Sequence, residues 1–176
     1  MNDELALVRR RLDEEGGKMS AFFEGLSEAD WNQQVYVTGS GWKVRDLLAH
    51  FVSAERTYVE YIGRLLRGGE GVPADFDLNA FNEAEVPQLS RRSKDELLAA
   101  LRQARVDSLA TVAALTPDDL DRRGRHPWFG ETDLRSVLKL LYRHPMIHMR
   151  DARRALKTGM PVEPSDDGPA EEGTSA

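Results

Sequence analysis

Four long stretches of this 176-residue sequence space their apolar residues three and four positions apart, as amphipathic helices do. They lie at about residues 3–25, 42–67, 93–115 and 132–158. A connection at 68–92 that contains Gly, Pro and acidic residues separates the second stretch from the third. Four helices with one long central crossover predict an all-α four-helix bundle.

The two halves of the sequence resemble each other faintly. Residues 26–31 correspond to 115–120, and 44–48 correspond to 134–138, with an offset close to 90 in both places. Each half is therefore predicted as a long helix, a short helical turn, a loop and a second long helix. This repeat supports a bundle made of two helix pairs.

Several short signals mark where the helices begin, end or weaken. Ser93 with Glu96 three residues later predicts a capping box at the start of the third long helix. Gly159 is placed to end the fourth. The pair Gly16-Gly17 interrupts the first helix and predicts a kink or soft spot there.

The chain is expected to form one domain over residues 1–160. Residues 161–176 are rich in Pro, Gly, Ser and acids and predict a disordered acidic tail. The segment 121–130 is predicted to be a loop, with His126 as a loop residue, and this loop and the crossover are expected to shape a pocket.

Composition narrows the function classes. The net charge of −6 disfavours a broad nucleic-acid-binding surface. No apolar run approaches the roughly 18 residues of a membrane span, and the first residues lack a signal-peptide hydrophobic region, so a cytoplasmic protein is expected. The absence of cysteine excludes disulfides, a cysteine nucleophile and thiolate ligands. Any metal must be held by His, Asp or Glu, and any thiol must come from another molecule.

Three of the four histidines fall on apolar helix faces. His144 and His148 are four residues apart, which places them on one face with Cβ atoms roughly 5–6 Å apart, close enough to share a metal ion. His50 lies on the inward stripe of the second helix. Because buried polar groups without partners are costly, the three histidines favour one metal site. The alternative is that they are core residues that hydrogen-bond to neighbours without a metal.

Pro145 directly follows His144 and removes one helical hydrogen bond. We expect a locally irregular helix that still directs both imidazoles inward. The alternative is a broken helix that separates them.

Other candidates carry weaker signals. Glu55 and Asp151 are the candidate catalytic carboxylates, each with the alternative of a surface position. Asp151 could also orient a histidine ligand. Trp42 is expected to form part of the core or of the substrate-binding wall.

The sequence resembles the DinB/YfiT-like superfamily over about residues 1–158. The resemblance rests on GWKVRDLLAHF at 41–51, LTPDDL at 115–120 and RHPMIH at 143–148. It implies a four-helix bundle, often dimeric, with a divalent metal held by three histidines. The matching positions are His50, His144 and His148. The phrase FNEAEV in the crossover resembles that of relatives and implies that Asn82 lies near the substrate pocket.

Activities within this superfamily include thiol-dependent isomerisation or transfer, hydrolysis and protection against toxins. Three imidazoles leave a coordination position open, and they suit Zn, Ni or Fe(II). The leading hypothesis is a metal-dependent enzyme acting on a small molecule, either with an external thiol such as mycothiol or bacillithiol or with activated water. The alternatives are a protective protein that binds a small molecule or metal without turnover, and a metal-free bundle with structural histidines.

Overall fold

The computed structural model describes residues 3–165 and confirms the predicted helical bundle. The helices are α1 (Asp3–Glu24), α2 (Glu28–Asn32), α3 (Val44–Leu66), α4 (Leu78–Leu89), α5 (Lys94–Ala113) and α6 (Leu134–Thr158). A 3₁₀ helix (Pro117–Asp121) precedes an antiparallel hairpin of β1 (Arg123–His126) and β2 (Gly130–Asp133). None of the described helices combines the length and apolarity needed to cross a bilayer.

The four long helices α1, α3, α5 and α6 pack in a crossed order. Both α1 and α3 pack against α5 and α6. The two long helices of each half therefore lie diagonally, and their neighbours come from the other half of the chain. This arrangement places α3 beside α6, so residues from distant parts of the sequence can meet between them.

The apolar core is divided into two clusters by a polar layer. One cluster is centred on Phe23, Phe51 and Leu101 and the other on Leu12, Ile62 and Leu138. Each long helix carries small or polar residues between or beside members of the two clusters. These residues are Gly16 on α1, His50 and Glu55 on α3, Arg105 and Ser108 on α5, and His144 and His148 on α6.

The predicted end signals of the helices are present. The Ser93 hydroxyl accepts from the Glu96 amide while the Glu96 carboxylate accepts from the Ser93 amide, so the predicted capping box is confirmed. Gly159 adopts a left-handed conformation with φ of 68° directly after α6. The α1 helix runs through Gly16-Gly17 without a break, and the predicted kink or soft spot there stays a prediction.

The crossover holds a helix that the sequence analysis did not identify. Asp77 caps α4 by accepting hydrogen bonds from the backbone amides of Asn79 at 2.9 Å and Ala80 at 3.0 Å. Pro87 lies inside this helix. Because α4 packs on α3, the crossover forms a wall over the middle of the bundle.

The predicted loop at 121–130 is wrong, because its ends form the β-hairpin with Arg123 opposite Asp133 and His126 opposite Gly130. The start of the crossover holds the hairpin: the Val72 amide donates to the Arg125 carbonyl at 2.9 Å. Gly71 has φ of 88°, and a Cβ there would overlap the Arg125 backbone, so only glycine permits this approach.

The chain continues in contact with the bundle after α6. The Val162 amide donates to the Val35 carbonyl at 2.7 Å, and the Val37 amide donates to the Val162 carbonyl at 3.1 Å. These contacts and those of Ser165 extend five residues past the predicted domain boundary at 160. The rest of the predicted acidic tail, 166–176, lies outside the described residues.

Candidate metal centre

Three histidines converge where α3 and α6 meet. His50 projects from α3, and His144 and His148 project from consecutive turns of α6. The Nε2 atom of His144 lies 3.1 Å from that of His50 and 3.1 Å from that of His148. Each ring offers one nitrogen to a common point, with all three atoms within 4.8 Å of one another. The structure thus brings together all three predicted ligands.

The spacing of these nitrogens fits a metal ion. A zinc–imidazole bond is about 2.0–2.1 Å long, so two imidazoles on one ion have nitrogens about 2.8–3.4 Å apart for bond angles between octahedral and tetrahedral values. The observed 3.1 Å separations fall in that range. Three neutral imidazoles that direct ring nitrogens at one point form a donor set suited to a divalent ion.

Burial keeps the three rings neutral. It is the largest cause that lowers the pKa of His50 to about 3, with His148 as the next cause. Burial also lowers the pKa of His148 to about 4, against the opposing effect of Asp151, and holds the pKa of His144 well below its usual range. At neutral pH the nitrogens therefore carry lone pairs, which is the state a metal ligand needs.

A hydrogen-bonded chain fixes the orientation of His148. The Tyr36 hydroxyl lies 2.5 Å from His148 Nδ1 and donates to Asp151 Oδ2 at 3.4 Å. Burial and Asp151 raise the pKa of Tyr36, so its hydroxyl carries a single proton. When the hydroxyl donates that proton to Asp151, His148 Nδ1 is the donor in the 2.5 Å contact. This tautomer leaves the lone pair on Nε2, which faces the other two histidines.

Asp151 is buried, so the alternative of a surface position is wrong. Besides Tyr36, it accepts hydrogen bonds from the Ser165 amide at 3.0 Å and the Ser165 hydroxyl at 2.5 Å. It therefore orients the partner of a histidine. Tyr36 and Ser165 were not anticipated, because neither lies in a periodic segment of the sequence.

Glu55 is also buried, with an exposed fraction of 4%. Its carboxylate forms an ion pair with Arg105 and accepts a hydrogen bond from the Ser108 hydroxyl, so it ties α3 to α5. The alternative of an exposed Glu55 is wrong.

The continuous α6 helix and the ring of Trp42 support the three-histidine cluster. The α6 helix continues through Pro145, so the proline does not separate His144 from His148. The Trp42 ring packs at 4.8 Å from the His50 ring and 6.4 Å from the His148 ring, measured between centroids. Trp42 thus packs behind two of the three histidines.

A cavity of about 90 Å³ adjoins the histidine cluster. His50 and His144 form part of its wall, and the crossover and the hairpin close it. Asn82, expected near the pocket, lines it and interacts with the His50 ring. His50 Nδ1 itself has no partner at hydrogen-bond distance within residues 3–165. Neither Glu55 nor Asp151 lines this cavity.

His126 is a pocket residue that the sequence analysis assigned to a loop. It ends β1, is 6% exposed, and lines the cavity with the neighbouring Trp128. Its ring stacks nearly parallel to that of Tyr58, with centroids 6.2 Å apart and an interplanar angle of 5°. The alternation of exposed and buried residues in β1 is too short to recognise from sequence alone.

Comparisons with known proteins show which fold and family the chain has. YfiT from Bacillus subtilis, described as a probable metal-dependent hydrolase with an unusual four-helix bundle topology, matches with a TM-score of 0.73 and 18% identity over 91% of this chain and 90% of that chain. The mycothiol-dependent maleylpyruvate isomerase matches with a TM-score of 0.71 and 15% identity over 84% of this chain and 60% of that chain. These two likenesses establish the fold. No curated protein matches the sequence. The family model of the DinB superfamily matches residues 11–152, and the chain therefore belongs to the DinB superfamily.

Proposed function

We propose that the protein is a divalent-metal-dependent enzyme that hydrolyses a small molecule held in the cavity beside His50 and His144. The observation that carries this proposal is the convergence of three neutral imidazole nitrogens beside that cavity, with His50 and His144 in its wall. Three protein ligands leave a position open, as in catalytic rather than structural metal sites. The likeness to YfiT supports hydrolysis as the reaction class.

Residues around the three histidines would orient the metal ligands and the bound molecule for this reaction. A bound divalent ion supplies a Lewis acid that activates water or polarises a carbonyl oxygen. Tyr36 and Asp151 hold the His148 proton on Nδ1, and Asn82 lies beside His50 at the cavity wall. Glu55 and Asp151 do not line the cavity, so neither would transfer a proton to a molecule bound there.

Thiol-dependent transfer or isomerisation is the second candidate, supported by the likeness to the mycothiol-dependent isomerase. The chain has no cysteine, so the thiol would be an external compound such as mycothiol or bacillithiol. We place hydrolysis first because the likeness to YfiT covers 90% of that chain, whereas the likeness to the isomerase covers 60% of that chain.

A protective protein that binds its ligand without turnover would use the same site. Activity assays distinguish such a binding protein from an enzyme. Zn, Ni and Fe(II) all suit the ligand set. We further expect a homodimer, as the family resemblance implies. We expect no nucleic-acid or membrane partner, as the net charge and the lack of a long apolar run predict.

Metal analysis of untagged protein tests the site. After removal of metal with a chelator and reconstitution with Zn, Ni or Fe(II), we expect one ion per chain by elemental analysis. The double variant His144→Ala/His148→Ala should lose this ion while circular dichroism still reports a helical fold. The same metal content in the wild type and the double variant would refute the site.

Activity assays on the reconstituted protein test the reaction. Hydrolysis of chromogenic esters and amides should require the metal and should disappear in the double variant. The same preparations should be offered electrophiles with and without an added thiol. Metal-dependent conjugation without hydrolysis would favour the second candidate, and no turnover in any assay would favour a binding protein.

A further inference from the structure

The cavity beside the histidine cluster is lined without formal charge. Among its lining residues in the described part of the chain there is no Lys, Arg, Asp or Glu. Its polar members are histidines, tyrosines, Thr57 and Asn82. A charged ligand group placed away from the histidine cluster would be buried without an opposite charge, which is strongly unfavourable.

The cavity walls are mainly aromatic. The rings belong to Tyr58, Tyr61, Phe76, Phe81 and Trp128. Flat rings on several sides favour a flat ligand that stacks against them or meets their edges. The volume of about 90 Å³ is several times that needed for one water molecule, so it suits a compact organic group.

His126 presents a fixed hydrogen-bond donor at this cavity. The Trp128 amide donates to His126 Nδ1 at 3.2 Å, so Nδ1 holds the lone pair and Nε2 carries the proton of the neutral ring. Within residues 3–165, Nε2 makes no hydrogen bond. The His126 Nε2–H is therefore available to a ligand acceptor.

Tyr61 adds a second polar group that lacks a partner. The residue lines the cavity and is 4% exposed, and its hydroxyl has no hydrogen-bond partner among the described residues. Buried hydroxyls are normally paired, and an unpaired one is destabilising. A ligand with a carbonyl oxygen or similar acceptor would satisfy it.

We propose that the cavity binds an uncharged, planar aromatic compound with a carbonyl-type acceptor, and that His126 and Tyr61 donate hydrogen bonds to it. This inference rests on the proposed function, because it names the substrate class of the same site. The aromatic walls hold the ring of the compound. The two donors set its orientation relative to His50 and His144.

Three small probes separate charge, shape and hydrogen bonding. Benzamide is uncharged and has a carbonyl oxygen, benzoate has nearly the same shape with a negative charge, and toluene keeps the ring alone. Calorimetric or NMR titrations should use metal-free full-length protein, so that an ion cannot attract the carboxylate, and then zinc-loaded protein. On metal-free protein we expect benzamide to bind about tenfold or more tightly than benzoate.

Two variants test the donors. His126→Phe keeps a ring beside Tyr58, and Tyr61→Phe removes only the hydroxyl. Each should weaken benzamide binding about tenfold and leave toluene binding within a factor of about two. Tyr142→Phe, at a partly buried position outside the cavity, is the matched control and should change neither affinity.

Several results would overturn the inference. These are equal binding of benzoate and benzamide to metal-free protein, equal loss of toluene and benzamide binding in the two variants, and no binding of any probe. Metal content measured on the same samples distinguishes failure of this ligand inference from failure of the proposed function. A protein that prefers benzamide but takes up no metal would refute the enzyme proposal and leave the ligand inference standing.

Discussion

At the residue scale, the Tyr36 hydroxyl determines how His148 presents its nitrogens. It connects His148 Nδ1 to the buried carboxylate of Asp151, and Ser165 holds that carboxylate from the other side. Histidine ligands in metal sites usually donate their second ring proton in this way, and loss of the acceptor weakens metal binding.

Tyr36→Phe tests this connection. We expect the variant to bind its metal about 10- to 100-fold more weakly, because His148 loses the group that fixes its tautomer and ring orientation. Competition with a chromophoric chelator measures the dissociation constant. Tyr142→Phe should bind metal as the wild type does. Equal affinity in the wild type and Tyr36→Phe would show that the hydroxyl does not orient the ligand.

The ligand histidines could be predicted from the sequence, whereas their supporting residues could not. His144 and His148 share a face by spacing alone, and His50 follows the apolar stripe of its own helix. Tyr36 lies in an irregular segment, 112 residues before its partner His148. Such contacts depend on how the helices pack, which local patterns do not encode.

At the element scale, the glycine pair in α1 has two different environments. Gly16 is buried, and a Cβ there would lie 3.0 Å from Arg105 Nε and 3.3 Å from Arg105 Cδ. A Cβ at Gly17 would have no atom within 4 Å. Gly16 therefore makes room for the Arg105 side chain that pairs with Glu55, whereas Gly17 has no packing role of this kind.

Two alanine variants distinguish these environments. Gly17→Ala should raise the free energy of unfolding by about 0.5–1 kcal/mol, because alanine favours the helix. Gly16→Ala should leave the free energy of unfolding unchanged or lower it, since Arg105 must shift to accommodate the methyl group. Urea denaturation followed by circular dichroism measures both values. An equal gain in both variants would contradict the close packing at Gly16.

The long helices were predictable because each repeats its apolar pattern over several turns. The shorter elements were not. The α4 helix has only 12 residues and contains Pro87, and its Asp77 cap was the signal that could have identified it. Each strand of the hairpin has only four residues, which is too short for a recognisable alternating pattern. The hairpin also depends on close contacts at Gly71 and Gly124 with residues far away in the sequence, which local patterns do not reveal.

At the scale of the whole molecule, the buried histidines make the metal-free protein sensitive to acid. The pKa is lowered to about 3 for His50 and to about 4 for His126 and His148, mainly by burial. The value in an unfolded chain is about 6.5. Between about pH 6.5 and 4 the unfolded chain therefore binds more protons than the folded one.

The free energy of unfolding should accordingly fall as the pH is lowered through this window. Each histidine contributes up to about 1.4 kcal/mol per pH unit. Urea denaturation at several pH values, with a chelator present, measures the slope. Constant stability from about pH 7 to pH 5 would contradict the burial of neutral rings.

His126→Phe is the matched variant for that measurement. Burial raises the pKa of Glu55, so protonation of this carboxyl favours the folded protein as the pH falls, opposite to the effect of the histidines. The measured change of stability with pH is therefore the sum over several groups. The difference between the wild type and His126→Phe isolates one histidine. The slope of the variant should be smaller because one titrating ring is gone.

The meeting of His50 with His144 has a consequence for a chain without cysteine. The two residues are 94 positions apart and belong to the two different halves of the sequence. An ion bound to both would act as a crosslink, because the halves could not separate without releasing it. At a free-ion concentration one hundred times the dissociation constant, this linkage adds about 2.7 kcal/mol to the free energy of unfolding. The strength of such a crosslink would follow the supply of the ion, whereas that of a disulfide follows the redox conditions.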